Sequence, residues 1–204
     1  MNADNLNQKV IRFFEPFFEK SIHGFEFSYV CYTNKANEIW TNTGSVIEVP
    51  QGIWIANHQL PISIAHLFIA SSCTDILCFS HFFPQYVEKG SAIAFSSLGY
   101  HPSKENFREL LCKFPNAKIH LISENSLIGK ISDCKIALWK QGIDSKVSIY
   151  GNFIEIEFGS ECLNLSIEKI SLNYFEGISN KRFSLRTHKP VKGFLSFHKL
   201  FTAL

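Results

Sequence analysis

Hydrophobic and polar positions are arranged differently in three successive parts of the chain, and residues 1–63 show the first arrangement. Apolar residues recur at nearly helical spacing over 9–20, with a break expected at Pro16. Three short stretches then alternate between apolar and polar residues, as antiparallel strands do. These stretches are 25–32, 38–42 and 45–50. We therefore predict an N-terminal helix and a small β-meander.

Residues 64–150 replace alternation with continuous apolar runs that are separated by amphipathic segments. The apolar runs are 66–71, 91–97, 117–123 and 145–150, and the segments of helical character are 75–83, 103–114 and 126–141. Strands that are apolar on both faces and joined by helices are typical of crossover units in a parallel sheet. The prediction is a three-layer α/β domain with a mainly parallel sheet.

Residues 151–204 return to alternation and end in a basic tail. The stretches 152–158 and 162–172 both alternate, which predicts a C-terminal β-rich segment. Two arrangements fit this pattern equally well. The strands either extend the edge of the parallel sheet or form a small separate β unit.

The composition is that of an ordinary globular protein. The chain has 204 residues, of which 46% are hydrophobic and 19% charged, and this length suits one domain with a small appendage. No apolar run approaches the roughly 18 residues of a membrane span, and the first residues lack the basic and apolar plan of a signal peptide. We expect a cytoplasmic protein without a membrane partner.

Cysteine usage fits the same compartment. The six cysteines are scattered without a C-x-x-C pair, which argues against a zinc ribbon, and a cytoplasmic address argues against disulfides. They are Cys31, Cys73, Cys78, Cys112, Cys134 and Cys162. We expect reduced cysteines that lie mostly in the core.

Positive charge is concentrated near the end of the chain. Residues 181–199 contain no acid and hold six of the twenty Lys and Arg residues, namely Lys181, Arg182, Arg186, Lys189, Lys192 and Lys199. Phe183, Phe194 and Phe197 lie among them, and this mixture can follow a phosphate backbone and stack on bases. The other interpretation is a final strand and helix that bury the phenylalanines and expose the lysines.

The residues that follow the predicted parallel strands are the first candidates for function, because ligands bind at the carboxyl ends of such strands. They are Ser71, Ser72 and Asp75 after the first strand, Ser96, Ser97 and Gly99 at the second, and Glu124, Asn125, Ser126 and Gly129 after the third. Their order and spacing resemble a Toprim domain, the metal-binding fold of bacterial primases, topoisomerases and related proteins of plasmids and mobile elements.

The resemblance covers roughly residues 66–150 and depends on spacing more than on identity. The first Toprim motif is a strand ending in glutamate and glycine with an aspartate shortly after, and here those positions hold Ser71, Ser72 and Asp75. The second motif is a strand followed by Asp-x-Asp and often a glycine, for which this chain has Glu124, Ser126 and Gly129.

The resemblance implies a magnesium site for phosphoryl transfer with the glutamate as acid or base, yet this chain has serine at two acidic positions. Serine is a neutral, weak ligand for Mg²⁺, which prefers carboxylates and water. We therefore expect a non-catalytic Toprim-like protein without a cofactor, which binds DNA, RNA or a protein partner. The expected nucleic-acid-binding residues are Lys104, Arg108, Lys130, Lys181, Arg182, Arg186, Lys189 and Lys192.

Other interpretations of the same residues remain open. A diverged metal-dependent phosphotransfer enzyme would use Asp75 and Glu124 with Mg²⁺. A serine hydrolase would use Ser71 with His81, His101 or His120 as its base, or Cys73 as a thiol nucleophile, although no G-x-S-x-G elbow is present. A doubly wound α/β domain of another kind would show the same order of elements. The chain has neither G-x-x-x-x-G-K-[ST] nor G-x-G-x-x-G, so a glycine-rich phosphate cradle is not expected.

Overall fold

A computed structural model describes residues 5–22, 24–30, 36–41, 44–47, 52–88 and 92–204. Within them lie six α-helices and twelve strands. The helices are α1 (Gln8–Phe14), α2 (Cys73–Phe82), α3 (Lys104–Lys113), α4 (Leu127–Lys140), α5 (Leu172–Ser179) and α6 (Phe197–Thr202). The strands are β1 (Glu19–Ser21), β2 (Gly24–Tyr29), β3 (Ala36–Thr41), β4 (Gly44–Ile47), β5 (Trp54–Asn57), β6 (His66–Ala70), β7 (Ile93–Ser97), β8 (Lys118–Ile122), β9 (Ser145–Tyr150), β10 (Phe153–Phe158), β11 (Glu161–Ser166) and β12 (Arg186–His188). Cys31 and positions 48–50 of the predicted meander lie outside the described residues.

The chain is a mixed α/β protein built on a mainly parallel sheet, as the sequence predicts. The sheet has the strand order β12-β8-β6-β7-β5, in which only β5 runs antiparallel to its neighbour. Strand β7 is buried along its whole length, and β6 is buried from Leu67 to Ala70. Continuous apolar sequence therefore corresponds to strands that are covered on both faces.

Helices cover both faces of this sheet. Phe68 and Ala70 of β6 pack in one apolar core with α1, α2 and α6, whereas Leu67 and Ile69 pack in a second core with α3 and α4. Alternate residues of a strand point to opposite faces, so the two cores lie on opposite sides of the sheet. Every helix in the described parts of the chain is too short or too polar to cross a membrane.

The N-terminal part forms the predicted meander, an antiparallel sheet of β1, β2, β3 and β4 in sequential order. Its apolar residues join the core on the α2 face of the large sheet. The preceding helix α1 ends at Phe14, earlier than the predicted 9–20, and residues 19–21 form β1 instead. Pro16 lacks the amide N–H that would continue the helix, which explains the early end.

The parallel sheet takes its outer strands from outside residues 64–150. Trp54–Asn57 pairs with β7 on one side, and Arg186–His188 pairs with β8 on the other. The prediction that 145–150 is a parallel strand of this sheet is wrong, because β9 pairs antiparallel with β10 in a separate sheet of β9, β10 and β11. Gly151 has φ = 55° and allows a two-residue turn that folds β10 directly back onto β9.

Candidate ligand-binding cleft

A cleft opens at the edge of the sheet where β6, β7 and β8 end. The chain leaves β6 toward the α2 face and leaves β7 and β8 toward the opposite face, and such divergence creates a crevice at the carboxyl ends of parallel strands. The cavity measures about 280 Å³. Its apolar lining includes Ile69, Leu98, Pro102, Ile128 and Ile136, and its polar lining includes Ser71, Tyr100, His101, Ser123, Glu124, Ser126, Ser132 and Asp133.

Glu124 is the central carboxylate of the cleft. Ser71 Oγ donates a hydrogen bond to Glu124 Oε1 over 3.3 Å, and Ser126 Oγ donates to Oε2 over 3.0 Å. The fold thus brings together three positions that the Toprim resemblance singles out. The two serines lie at positions where the resemblance would expect acids, and both donate hydrogen bonds to Glu124.

Ser126 has a second role as the N-cap of α4, where its Oγ accepts a hydrogen bond from the Gly129 N–H at 3.0 Å. The turn is tight at Gly129. A Cβ at this position would lie 2.8 Å from Glu124 Cβ and 2.9 Å from the Glu124 carbonyl oxygen. Glycine therefore allows α4 to start directly against the Glu124 loop.

Asp75 and Ser72 lie beside the cleft in the first turn of α2. Ser72 is the N-cap, and its Oγ accepts a hydrogen bond from the Asp75 N–H. Asp75 is buried, and its Oδ1 accepts a hydrogen bond from the His198 N–H of α6 over 2.8 Å. Burial raises the pKa of Asp75 to about 7, against the lowering effect of the His198 N–H. Asp75 therefore anchors the start of α6, and together with Glu124 and Tyr100 it lines a second cavity of about 300 Å³ beside the cleft.

Asp133 on α4 is a cleft residue that the sequence did not single out. Its Oδ1 accepts a hydrogen bond from Ser123 Oγ over 2.6 Å, whereas its buried Oδ2 has no hydrogen-bond partner in the described residues. The nearest cation is Lys189, whose Nζ lies 3.5 Å from Oδ2. Burial raises the pKa of Asp133 to about 6, and Ser123 and Lys189 oppose that rise.

Glu38 on β3 is a second buried acid that the sequence did not single out. It is fully buried, and it accepts hydrogen bonds from the backbone N–H groups of Cys73 and Thr74, over 2.6 and 2.9 Å. The hydroxyls of Thr74 and Tyr29 donate to the same carboxylate. Its carboxylate thus lies against the N-terminus of α2, where negative charge is stabilised.

One signal in the sequence marks Glu38. It lies two residues from Trp40 on the same strand, and alternate residues of a strand share a face. Both side chains are buried. An acid in the apolar phase of an alternating strand therefore indicates a buried carboxylate with dedicated partners.

The histidines proposed as bases for Ser71 lie in different surroundings. His81 accepts the Asn7 N–H at Nδ1 and packs against Phe201. His120 is buried within the sheet, whereas His101 lines the cleft. In the described residues the Ser71 hydroxyl bonds to Glu124 rather than to any of them.

His120 belongs to a row of three histidines across the large sheet. Its Nε2 lies 2.9 Å from His66 Nδ1, and its Nδ1 lies 2.9 Å from His188 Nε2. The three rings come from β6, β8 and β12. Burial and then the neighbouring His188 and His66 rings lower the pKa of His120 to about 4.

Cys73 does not have the properties of a nucleophile. Its side chain is buried, and burial raises the pKa of the thiol well above its ordinary value. Reactive cysteines instead have lowered pKa values and partial exposure. Of the other cysteines in the described residues, Cys78 and Cys134 are buried, whereas Cys112 and Cys162 are exposed.

Half of the predicted nucleic-acid-binding residues are engaged in ion pairs. The pairs are Lys104 with Asp144, Lys181 with Glu161, Arg182 with Glu176 and Lys189 with Asp133. The four others, Arg108, Lys130, Arg186 and Lys192, are in none of the ion pairs found in the described residues.

Lys130 and Lys192 border one groove of about 460 Å³, together with Asn125, Phe194 and Leu195. Two consecutive residues line the two cavities: Glu124 lines the cleft, and Asn125 lines the groove. Phe183 and Phe197 are buried, so only Phe194 of the three tail phenylalanines lies at this groove. The tail forms β12 and α6, as its second interpretation expects.

The donor set of the cleft does not fit a magnesium ion. Mg²⁺ prefers several carboxylate and water oxygens in octahedral geometry. Here Glu124 is bonded to two hydroxyls, and Asp75 is bonded to the start of α6. Across the described ranges, no three His, Cys, Asp or Glu side chains are grouped so that they could hold a metal ion.

Comparison of the chain with protein-family models, with curated proteins and with solved structures finds no match.

Proposed function

We propose that the protein is a non-catalytic Toprim-like module that binds single-stranded nucleic acid at the carboxyl edge of its parallel sheet. The observation that carries this proposal is the pairing of Glu124 with Ser71 and Ser126. The positions that the resemblance assigns to a cation and a proton acceptor hold a hydrogen-bonded carboxylate and two hydroxyls. This arrangement stabilises the cleft without supplying the charge that phosphoryl transfer requires.

The adjacent groove supports the choice of ligand. Lys130 and Lys192 provide positive charge, and the partly exposed ring of Phe194 provides a surface on which a base can stack. Sequence-independent binding of single strands combines these two features. Residues 1–180 hold 14 Lys and Arg residues against 18 Asp and Glu residues, so the basic tail that contributes Lys192 follows a mildly acidic body.

Fluorescence anisotropy with a labelled single-stranded oligonucleotide tests the proposal. We expect salt-sensitive binding that the double substitution Lys130→Gln, Lys192→Gln weakens at low salt. Two lost phosphate contacts should reduce the slope of log affinity against log salt by about 1.4. The protein should not cleave or extend the strand in the presence of magnesium.

The matched control is Lys146→Gln, Lys169→Gln, which removes two exposed lysines that do not border the groove. This variant should bind like the parent. Equal weakening in both variants would mean that only the net charge matters. Magnesium-dependent turnover that Glu124→Ala abolishes would establish the phosphotransfer enzyme instead.

A further inference from the structure

We propose that the cleft and the second cavity together bind a small organic cation, namely a primary amine whose body is one apolar ring. The ring occupies the cleft, and the ammonium group lies where the two cavities meet. This inference goes beyond the proposed function and does not depend on the groove that is proposed for nucleic acid.

Two residues, Glu124 and Tyr100, line both cavities. Ser71 lines the cleft and the next residue, Ser72, lines the second cavity, so the two spaces also meet at the turn after β6. A ligand that fills the cleft therefore reaches the Glu124 carboxylate and the Tyr100 side chain at one end.

Glu124 is a carboxylate without a cation partner in the described residues. Its two oxygens accept hydrogen bonds from the neutral hydroxyls of Ser71 and Ser126, and it takes part in none of the ion pairs found there. A carboxylate can accept about four hydrogen bonds, so two of its acceptor positions remain. An ammonium group offers three N–H donors and the opposite charge, and its hydrogen bonds to a carboxylate are stronger than those of a neutral donor.

The charges around the two cavities favour a cation over an anion. Asp75 lines the second cavity, and no lysine or arginine of the described residues lines the cleft. Lys199 lines the second cavity but forms no ion pair with Asp75 or Glu124 in the described parts of the chain. Asp133 lines the cleft with Lys189 as its own neighbour at 3.5 Å, so the ammonium group is not assigned to it. A ligand with a phosphate or carboxylate would meet like charge at Glu124.

Tyr100 adds an aromatic ring beside the same carboxylates. The residue is 42% exposed and is part of the loop between β7 and α3. Burial and then the negative charges of Glu38, Asp75 and Glu124 raise the pKa of its hydroxyl, which therefore keeps its proton. The faces of aromatic rings attract ammonium groups, so Tyr100 favours the same kind of ligand as Glu124.

The size and lining of the cleft fit the apolar body of such a ligand. Its volume of about 280 Å³ is just below the range of small-molecule sites, which span roughly 300–1,000 Å³. Leu98, Pro102, Ile128 and Ile136 contribute apolar wall. One ring with a short chain covers this wall, and burial of its apolar surface adds to the affinity.

Three probes with similar bodies test the inference in titrations of the full chain followed by NMR chemical shifts. They are 2-phenylethylamine, 2-phenylethanol and 3-phenylpropionate, used at pH 8, at which an ordinary histidine is neutral and the amine is protonated. The amine should bind at least ten-fold more tightly than the alcohol, and the carboxylate should bind more weakly than either. Equal affinity of amine and alcohol, or no binding of the amine, would overturn the inference.

Exchange of the central carboxylate for an amide assigns the contact. Glu124→Gln keeps the size of the side chain, so it should reduce amine affinity at least ten-fold and leave alcohol affinity nearly unchanged. The control Glu168→Gln, at an exposed residue outside both cavities, should change neither. Equal losses for amine and alcohol in Glu124→Gln would mean that Glu124 only shapes the cavity, which contradicts the inference.

A second substitution tests the place of the ring. Ser132 lines the cleft but not the second cavity, so Ser132→Phe should fill the cleft and abolish amine binding while Glu124 is retained. Amine affinity unchanged in this variant, with its fold verified by circular dichroism, would exclude the cleft. Ser132→Leu is the smaller substitution for the same test if the phenylalanine prevents folding.

The two proposals fail separately. Lys130→Gln with Lys192→Gln should leave amine affinity unchanged, because neither lysine lines the cleft or the second cavity. Oligonucleotide binding without amine binding would retain the groove and reject the cation site. Amine binding without binding of any oligonucleotide would retain the cation site and reject the proposed function.

Discussion

Two carboxylates lie on either side of the turn between β6 and α2, and their surroundings differ sharply. Glu38 is fully buried and accepts hydrogen bonds from two backbone N–H groups and two hydroxyls. Glu124 is partly exposed, accepts bonds from two serine hydroxyls and borders a cavity. The first carboxylate joins the N-terminal sheet to α2, and the second faces a space that a ligand can enter. The number of bonded donors and the exposure thus separate a structural acid from a site acid.

The largest expected effect comes from exchanging each carboxylate for an amide. Glu38→Gln places an NH₂ group among four donors, so we expect a loss of about 2–3 kcal/mol in the free energy of unfolding. Glu124→Gln can still exchange hydrogen bonds with Ser71 and Ser126 and should cost less than about 0.5 kcal/mol. Thermal unfolding measures both, with a shift of roughly 4–12 °C expected for the first variant. Similar shifts for the two variants would mean that Glu38 and Glu124 contribute equally to stability.

The row of three histidines, unlike the two carboxylates, is a network of neutral groups whose contribution to stability depends on pH. Burial and then the neighbouring His188 and His66 lower the pKa of His120, with smaller contributions from Arg186 and Lys118. The folded protein therefore binds fewer protons than the unfolded chain below about pH 6.5. This contribution is complete above pH 6.5 and is lost as the pH falls toward about 4. The slope is at most about 1.4 kcal/mol per pH unit for one such group.

Asp75 and Asp133 change the stability with pH in the direction opposite to His120. Their folded pKa values of about 7 and about 6 lie above the unfolded value, so their contribution is present at low pH and is lost as the pH rises through those values. Denaturation of the parent and of His120→Phe at pH 6.5 and pH 5 separates the two effects. On acidification the parent should lose more stability than the variant. An equal change in both would exclude the histidine row as the cause.

The smallest expected effect comes from a double substitution that adds acids beside Glu124 and so gives the cleft ligands for a cation. Ser71→Glu with Ser126→Asp places acids beside Glu124, and aspartate can still cap α4. If the cleft has Toprim-like geometry, 10 mM Mg²⁺ should stabilise this variant by about 1.4 kcal/mol at a dissociation constant of about 1 mM. The parent and the single variant Ser126→Asp are the controls in the thermal-shift measurement. Absence of any magnesium-dependent shift would count against a Toprim-like origin of the cleft.

The centre of the sheet was predictable because β6, β7 and β8 are apolar along most of their length. Burial on both faces requires such sequence wherever a parallel strand is covered by helices. Ser72, Ser103 and Ser126 each cap the helix that follows. Helices α3 and α4 begin one residue after their predicted starts at 103 and 126, whereas α2 begins at Cys73, two residues before its predicted start at 75. Local sequence was sufficient for these elements because their causes are local.

The sequence did not reveal elements whose partners are distant in the chain. Strand β12 is only three residues long, Arg-Thr-His, and pairs with β8 about 66 residues earlier, at His120 and its neighbours. Strand β9 was misplaced because the turn at Gly151, rather than the composition of the strand, determines its partner. Glu38 and Asp133 were missed because the groups that satisfy or surround a buried acid come from other elements.

The hydrogen bonds of the histidine row also have a polarity across the sheet. A neutral imidazole has one N–H and one acceptor nitrogen, so each of the contacts His66–His120 and His120–His188 needs a donor on one side and an acceptor on the other. Choosing the tautomer of the middle ring therefore fixes both contacts, and all the N–H groups point the same way across three strands. Uptake of a proton at one outer ring and its release from the other would reverse that polarity without moving any strand.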